Sequence, residues 1–114
     1  MKSAMMLGRY QPFHKGHIEL FKKALEKTGH VTIMVRDCFD ENNPFDYKQV
    51  KDCIEESLSD YHGKFMVMQV PNITNICYGR GVGYKIEEVV LPEEIQKISA
   101  TKIRAKMRED GKLK

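Results

Sequence analysis

The sequence predicts a three-layer α/β fold, an open parallel sheet of about five strands with helices on both faces. Three observations carry this expectation: short apolar runs bounded by polar turns, segments of helical period between them, and alternation of the two along the chain. Residues 3–7 and 31–35 (Val31-Thr32-Ile33-Met34-Val35) read as the first two strands. Between them Ile18, Leu20, Phe21, Ala24 and Leu25 recur at helical spacing, and Gly29 stands where a C-cap belongs. Strand, helix and strand within about 35 residues form a βαβ unit, which in one sheet is parallel and right-handed.

The pattern then repeats. Asn43-Pro44 breaks the chain, and residues 46–59 read as a second helix with Val50, Ile54 and Leu58 on one face and Asp46 as its cap. Residues 65–70 give a third strand, halted by Pro71. Short strands at 75–78 and 85–90 flank the loop Gly79-Arg80-Gly81-Val82-Gly83, and Ser99 opens a last helix with Ile103 and Met107 facing inward. In such sheets ligands sit beyond the carboxyl ends of the strands.

Composition narrows the classes. A chain of 114 residues fits one core, so residues 1–114 are expected to form a single domain. With 41% hydrophobic and 31% charged residues, disorder is disfavoured. No apolar run approaches the ~20 residues that cross a bilayer, and the start is too short in apolar residues for a secretory signal. Cys38, Cys53 and Cys77 are odd in number and lack C-x-x-C spacing, which argues against a disulfide framework and suits a reducing cytoplasm. The net charge of +3 is concentrated at the end, where Lys102, Arg104, Lys106, Arg108, Lys112 and Lys114 face only Glu109 and Asp110. Such an end meets phosphate or simply solvent. Nucleic acid is not expected, because no aromatic strand platform or helix-turn-helix pattern accompanies it.

The strongest local signal is Gly8-Arg9-Tyr10-Gln11-Pro12-Phe13-His14-Lys15-Gly16-His17, between the first strand and the first helix. Backbone N–H groups and a helix N-terminus make an anion site there. Gly8 and Gly16 would let the backbone approach a phosphate, with His14, Lys15 and His17 as donors. The zinc-protease pattern of two histidines four apart around a glutamate is absent, so no metal ligand is assigned to these rings.

This segment resembles the H-x-G-H signature of the nucleotidyltransferase superfamily. Ile98-Ser99-Ala100-Thr101-Lys102-Ile103-Arg104 resembles its second signature, I-S-[ST]-T-x-x-R, and Asn43-Pro44-Phe45 is similar to a segment of nicotinamide-mononucleotide adenylyltransferases. The resemblance covers essentially the whole chain and is weakest over residues 60–97. It implies a Rossmann-like fold and a cytoplasmic enzyme that joins a nucleoside triphosphate to a phosphate-bearing acceptor with Mg²⁺, releasing pyrophosphate. It also implies the roles. His14 and His17 would act catalytically on the α- and β-phosphate region, and Lys15 between them would join that catalytic set or else point to solvent. Gly8, Arg9, Tyr10, Gln11, Phe13, Gly16, Ser99, Thr101 and Arg104 would bind the nucleotide and its phosphates. Many members are dimers or larger, so a homo-oligomer is open to this chain.

Around that centre several readings stay open. Arg36 and Asp37 end the second strand and would contact the acceptor, or else form a strand-end ion pair. Lys48, with Lys51, would reach phosphate, or else be solvated on its helix. Arg80 would touch the acceptor from the glycine-rich loop, which lacks G-x-G-x-x-G and so is no dinucleotide fingerprint. The motif form favours ATP and nicotinamide mononucleotide. The alternatives are a CTP-dependent transfer to a polyol phosphate and a nucleotide-binding regulator without activity.

Overall fold

Strand and helix do alternate along the chain. In a computed structural model that describes residues 2–77, 79, 89, 91, 93–96 and 100–111, β1 (Ala4–Gly8), β2 (Val31–Arg36) and β3 (Phe65–Val70) form a parallel sheet in the order β1-β2-β3. Helix α1 (Lys15–Thr28) joins the first pair and α2 (Tyr47–Ser57) the second, followed by a 3-10 turn at Ser59–Tyr61. The short α3 (Glu93–Gln96) and α4 (Ala100–Glu109) come last among the described residues.

Caps set the helix ends. Gly29 ends α1 with φ 78°, and its N–H donates to the Leu25 carbonyl at 2.8 Å. Only glycine takes that left-handed geometry without a Cβ penalty. Asp46 starts α2: its carboxylate accepts the Gln49 N–H at 2.8 Å, while Gln49 Oε1 accepts the Asp46 N–H at 2.9 Å. This reciprocal pair is a capping box.

Period-two burial shows which face of the sheet is inside. Val31, Ile33 and Val35 of β2 are buried and alternate with half-buried Thr32, Met34 and Arg36. The buried set joins Met6, Phe21, Ala24, Val50, Ile54 and Leu58 in one core. Phe21, Ile33, Ile54 and Leu58 are wholly enclosed, each worth about 1.5–3 kcal/mol of hydrophobic stabilisation. Both crossovers step the same way across the sheet, so α1 and α2 cover one face. On the other face Met5, Met66 and Met68 remain 51%, 49% and 37% exposed.

The α/β class and the parallel sheet are as expected from the sequence. Of the five or so strands expected, three lie among the described residues. Residues 75–77 are irregular rather than a strand, since the run after Pro71 offers no apolar alternation and Ile76 is 60% exposed. The strand expected at 85–90 falls outside the described residues except for Val89, which is irregular, and Ser99 also lies outside them. What positions the site is the sheet's carboxyl edge, where β1 and β2 release residues 9–14 and 37–46 side by side.

Candidate functional site

The turn from β1 into α1 is built from rings. Tyr10 has φ 51°, in the left-handed region that a bulky residue enters only under constraint. Its ring lies over Gly8, where a Cβ would stand 3.0 Å from Tyr10 Cε1 and Cζ. Tyr10 packs edge-on to Phe13 (centroids 5.4 Å apart) and to His17 (4.9 Å), while Phe13 stacks on His17 at 5.2 Å. Burial pushes the Tyr10 hydroxyl to a pKa above its ordinary value, so it stays protonated.

His14 and His17 cap α1 as a reciprocal box. His14 Nδ1 accepts the Gly16 N–H at 3.0 Å, and His17 Nδ1 accepts the His14 N–H at 3.0 Å. An accepting Nδ1 carries no proton, so each neutral ring bears its proton on Nε2. Burial, and then the neighbouring His14, push the His17 pKa down to about 3, and burial lowers that of His14 too. The two rings stack with centroids 3.9 Å apart. At neutral pH the pair therefore offers uncharged Nε2–H donors. Gly16 is required by the same packing, because a Cβ there would meet His14 Cε1 at 2.8 Å.

A cavity of about 250 Å³ opens beside them, lined by Arg9, Tyr10, Gln11, His17, Asn43, Thr101 and Arg104. It brings the two ends of the chain together. Arg104 Nη1 donates to the Gln11 carbonyl, and its Nη2 approaches Thr101 Oγ1 at 3.4 Å. Donors predominate: two guanidinium groups, an imidazole N–H and two hydroxyls suit an anion with several oxygens. Among the described residues no group of three His, Cys, Asp or Glu is placed to hold a metal ion, and this lining contains no carboxylate.

Some residues expected to bind the nucleotide are placed otherwise. Phe13 is buried behind His17 as core. Gln11 is 4% exposed and spends its side-chain amide on the backbone: Nε2 donates to the Phe45 carbonyl and Oε1 accepts the Phe45 N–H, both at 2.9 Å. Gly8 and Gly16 make room for the Tyr10 and His14 rings. Lys15 is exposed at the start of α1 and does not line the cavity. Lys48 is 84% exposed and pairs with Asp52 at 2.8 Å, the solvated alternative.

Arg36 makes no ion pair with Asp37. Its Nε and Nη2 donate to Asn72 Oδ1 at 3.2 and 2.8 Å. Both residues line a second cleft of only about 10 Å³, room for about one water. Arg80 and Ser99 lie outside the described residues. Asn43 and the backbone of Phe45, singled out in the sequence only through the Asn43-Pro44-Phe45 resemblance, are participants to which it assigns no individual role. Asp40 three positions before Asn43 was the available signal, since aspartate at the head of such a turn bonds the backbone ahead of it.

Comparisons with known proteins point to nucleotidyltransferases. Residues 5–57 match the cytidylyltransferase-like family model. The chain is 30% identical over 73 residues to the nicotinamide-nucleotide adenylyltransferase of Methanococcus vannielii, covering 61% of this chain and 42% of that protein. It is 47% identical over 32 residues to the Thermoplasma acidophilum enzyme of the same name, covering 28% of this chain and 18% of that one. The matches thus span less than half the length of these curated relatives. A crystal structure of a bifunctional NMN adenylyltransferase/ADP-ribose pyrophosphatase from Francisella tularensis, complexed with AMP and manganese, aligns with a TM-score of 0.49 at 33% identity. That alignment covers 61% of this chain and 22% of the other. The family model carries the likeness to nucleotidyltransferases, and the curated relatives carry the likeness to the nicotinamide-nucleotide adenylyltransferase kind.

Proposed function

We propose that this nucleotidyltransferase-like chain moves an adenylyl group from ATP to a phosphate-bearing acceptor such as nicotinamide mononucleotide, releasing pyrophosphate. The observation that carries the reading is the pair of capped histidines beside a donor-lined cavity. An acceptor phosphate oxygen attacks the α-phosphorus in line. A new O–P bond forms as the bond to the β-phosphate's bridging oxygen breaks, and that electron pair leaves on pyrophosphate. Chemistry of this kind asks for positioning and for neutralisation of spreading negative charge, not for a protein nucleophile.

His17 Nε2–H would donate to phosphate oxygens where charge grows, with His14 stacked against it to hold the ring. A neutral donor with a fixed tautomer needs no proton transfer to do this. Arg104, tied to the β1–α1 turn through the Gln11 carbonyl, would neutralise the leaving phosphates together with Arg9 and Thr101. The described residues do not form a protein cage for a metal. The Mg²⁺ expected from the resemblance would enter on the triphosphate, where it shields charge while keeping few protein ligands.

The cytidylyltransferase-like description of the matching family keeps a CTP-dependent transfer as the second reading. Pyrophosphate release, followed with ATP or CTP against nicotinamide mononucleotide and glycerol 3-phosphate, decides between them. Release with ATP and the mononucleotide supports the proposal. Release with CTP and the polyol phosphate replaces it. Nucleotide binding without release under any pairing leaves a regulator and overturns both transfers.

A further inference from the structure

Asn43 is the polar residue that the transfer reaction leaves unused. It is 5% exposed and lines the cavity with His17 and Arg104. Asp40 fixes it in place. Asp40 Oδ1 accepts from the Asn42 N–H at 2.8 Å, from the Asn43 N–H at 2.9 Å and from Asn43 Nδ2 at 3.0 Å. The two backbones also exchange bonds, Asp40 N–H to the Asn43 carbonyl at 3.0 Å and the reverse at 3.2 Å. From the other side, Gln11 grips Phe45 two residues on.

A carboxylate can only accept, so the amide orientation is determined: the NH₂ of Asn43 faces Asp40 and Oδ1 faces away. Among the described residues no buried side-chain nitrogen or oxygen is left without a partner, so Oδ1, which takes no donor from them, is the part of Asn43 left open where it lines the cavity. The neighbouring groups in the cavity are different. Arg9 and Arg104 only donate, the His17 Nε2–H donates, and the Gln11 amide is already spent on Phe45. An oriented acceptor in that company repels phosphate oxygens and attracts a group that gives a proton.

We infer that Asn43 is a ligand-binding residue whose Oδ1 accepts a hydrogen bond from a sugar hydroxyl of a nucleotide seated with its phosphates on the arginines. This rests on the nucleotide reading above and adds to it the part of the ligand that Asn43 reads. The hydroxyl belongs to the ribose of the triphosphate or to that of the acceptor. Because Asp40 holds the amide before the ligand arrives, the contact costs little ordering on binding.

Calorimetric titration of wild type, Asn43→Ala and Asp40→Ala tests it, with ATP, 2′-deoxyATP, 3′-deoxyATP, ribose 5-phosphate, deoxyribose 5-phosphate and inorganic tripolyphosphate. Asn43→Ala is expected to weaken the hydroxylated ligand about 3- to 10-fold, the worth of one neutral hydrogen bond. It should leave tripolyphosphate unchanged, and the deoxy analogue lacking the contacted hydroxyl should bind both proteins alike. A selective loss with ATP assigns the donor ribose, and one with ribose 5-phosphate assigns the acceptor. Asp40→Ala, which frees the amide to turn, should show a smaller loss on the same ligands, and it answers the question if Asn43→Ala fails to fold. Equal losses for tripolyphosphate and ATP, or no loss with any sugar phosphate, overturn the assignment. Wild type that binds tripolyphosphate but shows no Asn43 effect defeats this inference alone. Wild type that binds no phosphate ligand defeats the nucleotide reading and this inference with it.

Discussion

Two loops leave the same edge of the sheet and are built by opposite means. The loop after β1 is held from within by aromatic and imidazole rings that stack on each other and over two glycines. The loop after β2 holds few rings in place: Phe39 is 65% exposed and Asp37 is exposed, and order comes from Asp40 and from Gln11 reaching across. Packed rings resist small changes of geometry, because a close-packed interior transmits strain. Hydrogen bonds to a turn fix direction at a few atoms and leave the rest of the loop free. The difference teaches a division of labour: the first loop supplies donors whose place cannot drift, and the second supplies an outer wall that depends on the first.

The largest expected effect tests the first loop. His17→Ala should lower the rate of pyrophosphate release about 100-fold or more, with a smaller change in nucleotide affinity. Unchanged turnover would remove the ring from the chemistry. Arg104→Ala should weaken triphosphate affinity by about tenfold or more, the scale of a charge-assisted contact. Titration of the nucleotide measures it, and equal affinity would place the side chain in a purely structural role. Gly16→Ala forces its Cβ into the His14 ring and should cost about 1 kcal/mol of stability through the lost cap, together with activity. A urea midpoint equal to wild type would show that the ring adjusts freely, contrary to the tight packing claimed for this loop.

Acid gives a gentler test. Unfolded, His17 takes up a proton near its ordinary 6.5, whereas in the fold it does so only near 3. Between those values acidification adds a proton to the unfolded chain alone, so stability is complete above 6.5 and is lost as pH falls toward 3. The slope is at most about 1.4 kcal/mol per pH unit for one proton. Urea midpoints at pH 7 and 4.5 should separate for wild type and approach each other for His17→Gln. Lys48→Ala is the smallest change, leaving the urea midpoint close to wild type, because an exposed pair with Asp52 contributes little. A larger loss in melting would give α2 an electrostatic part that the geometry does not suggest.

Much of this contrast is legible in the sequence. Gly29, Asp46, the strand at 31–35 and the apolar stripe of α2 follow from caps, apolar runs and period, which are local and survive in sequence. The two signatures at opposite ends also pointed to one cavity, and Thr101, Arg104 and His17 do meet there. Phe13, packed in the core, and Gln11, which lines the cavity but spends its amide on Phe45, share one lesson. A motif names residues that stand together without saying which face the ligand and which hold up those that do. The Gln11–Phe45 pairing spans 34 positions and leaves no periodic trace. Asn43 has only a place in the Asn43-Pro44-Phe45 segment and no role of its own in the sequence, because its value lies in an orientation that only a neighbouring carboxylate confers.

The capping box made of His14 and His17 has a consequence for how such a chain can change over generations. In most helices the residue that starts the first turn and the residue that meets a ligand are separate, and one can be lost while the other is kept. Here the same two rings bond the backbone through Nδ1, which leaves Nε2 for a ligand. A lineage that no longer needed the reaction would still be selected to retain them, since replacing either would unfasten the start of α1. Persistence of the histidines in a descendant is therefore weak testimony that its chemistry persists, and the arginine at 104 is the better witness.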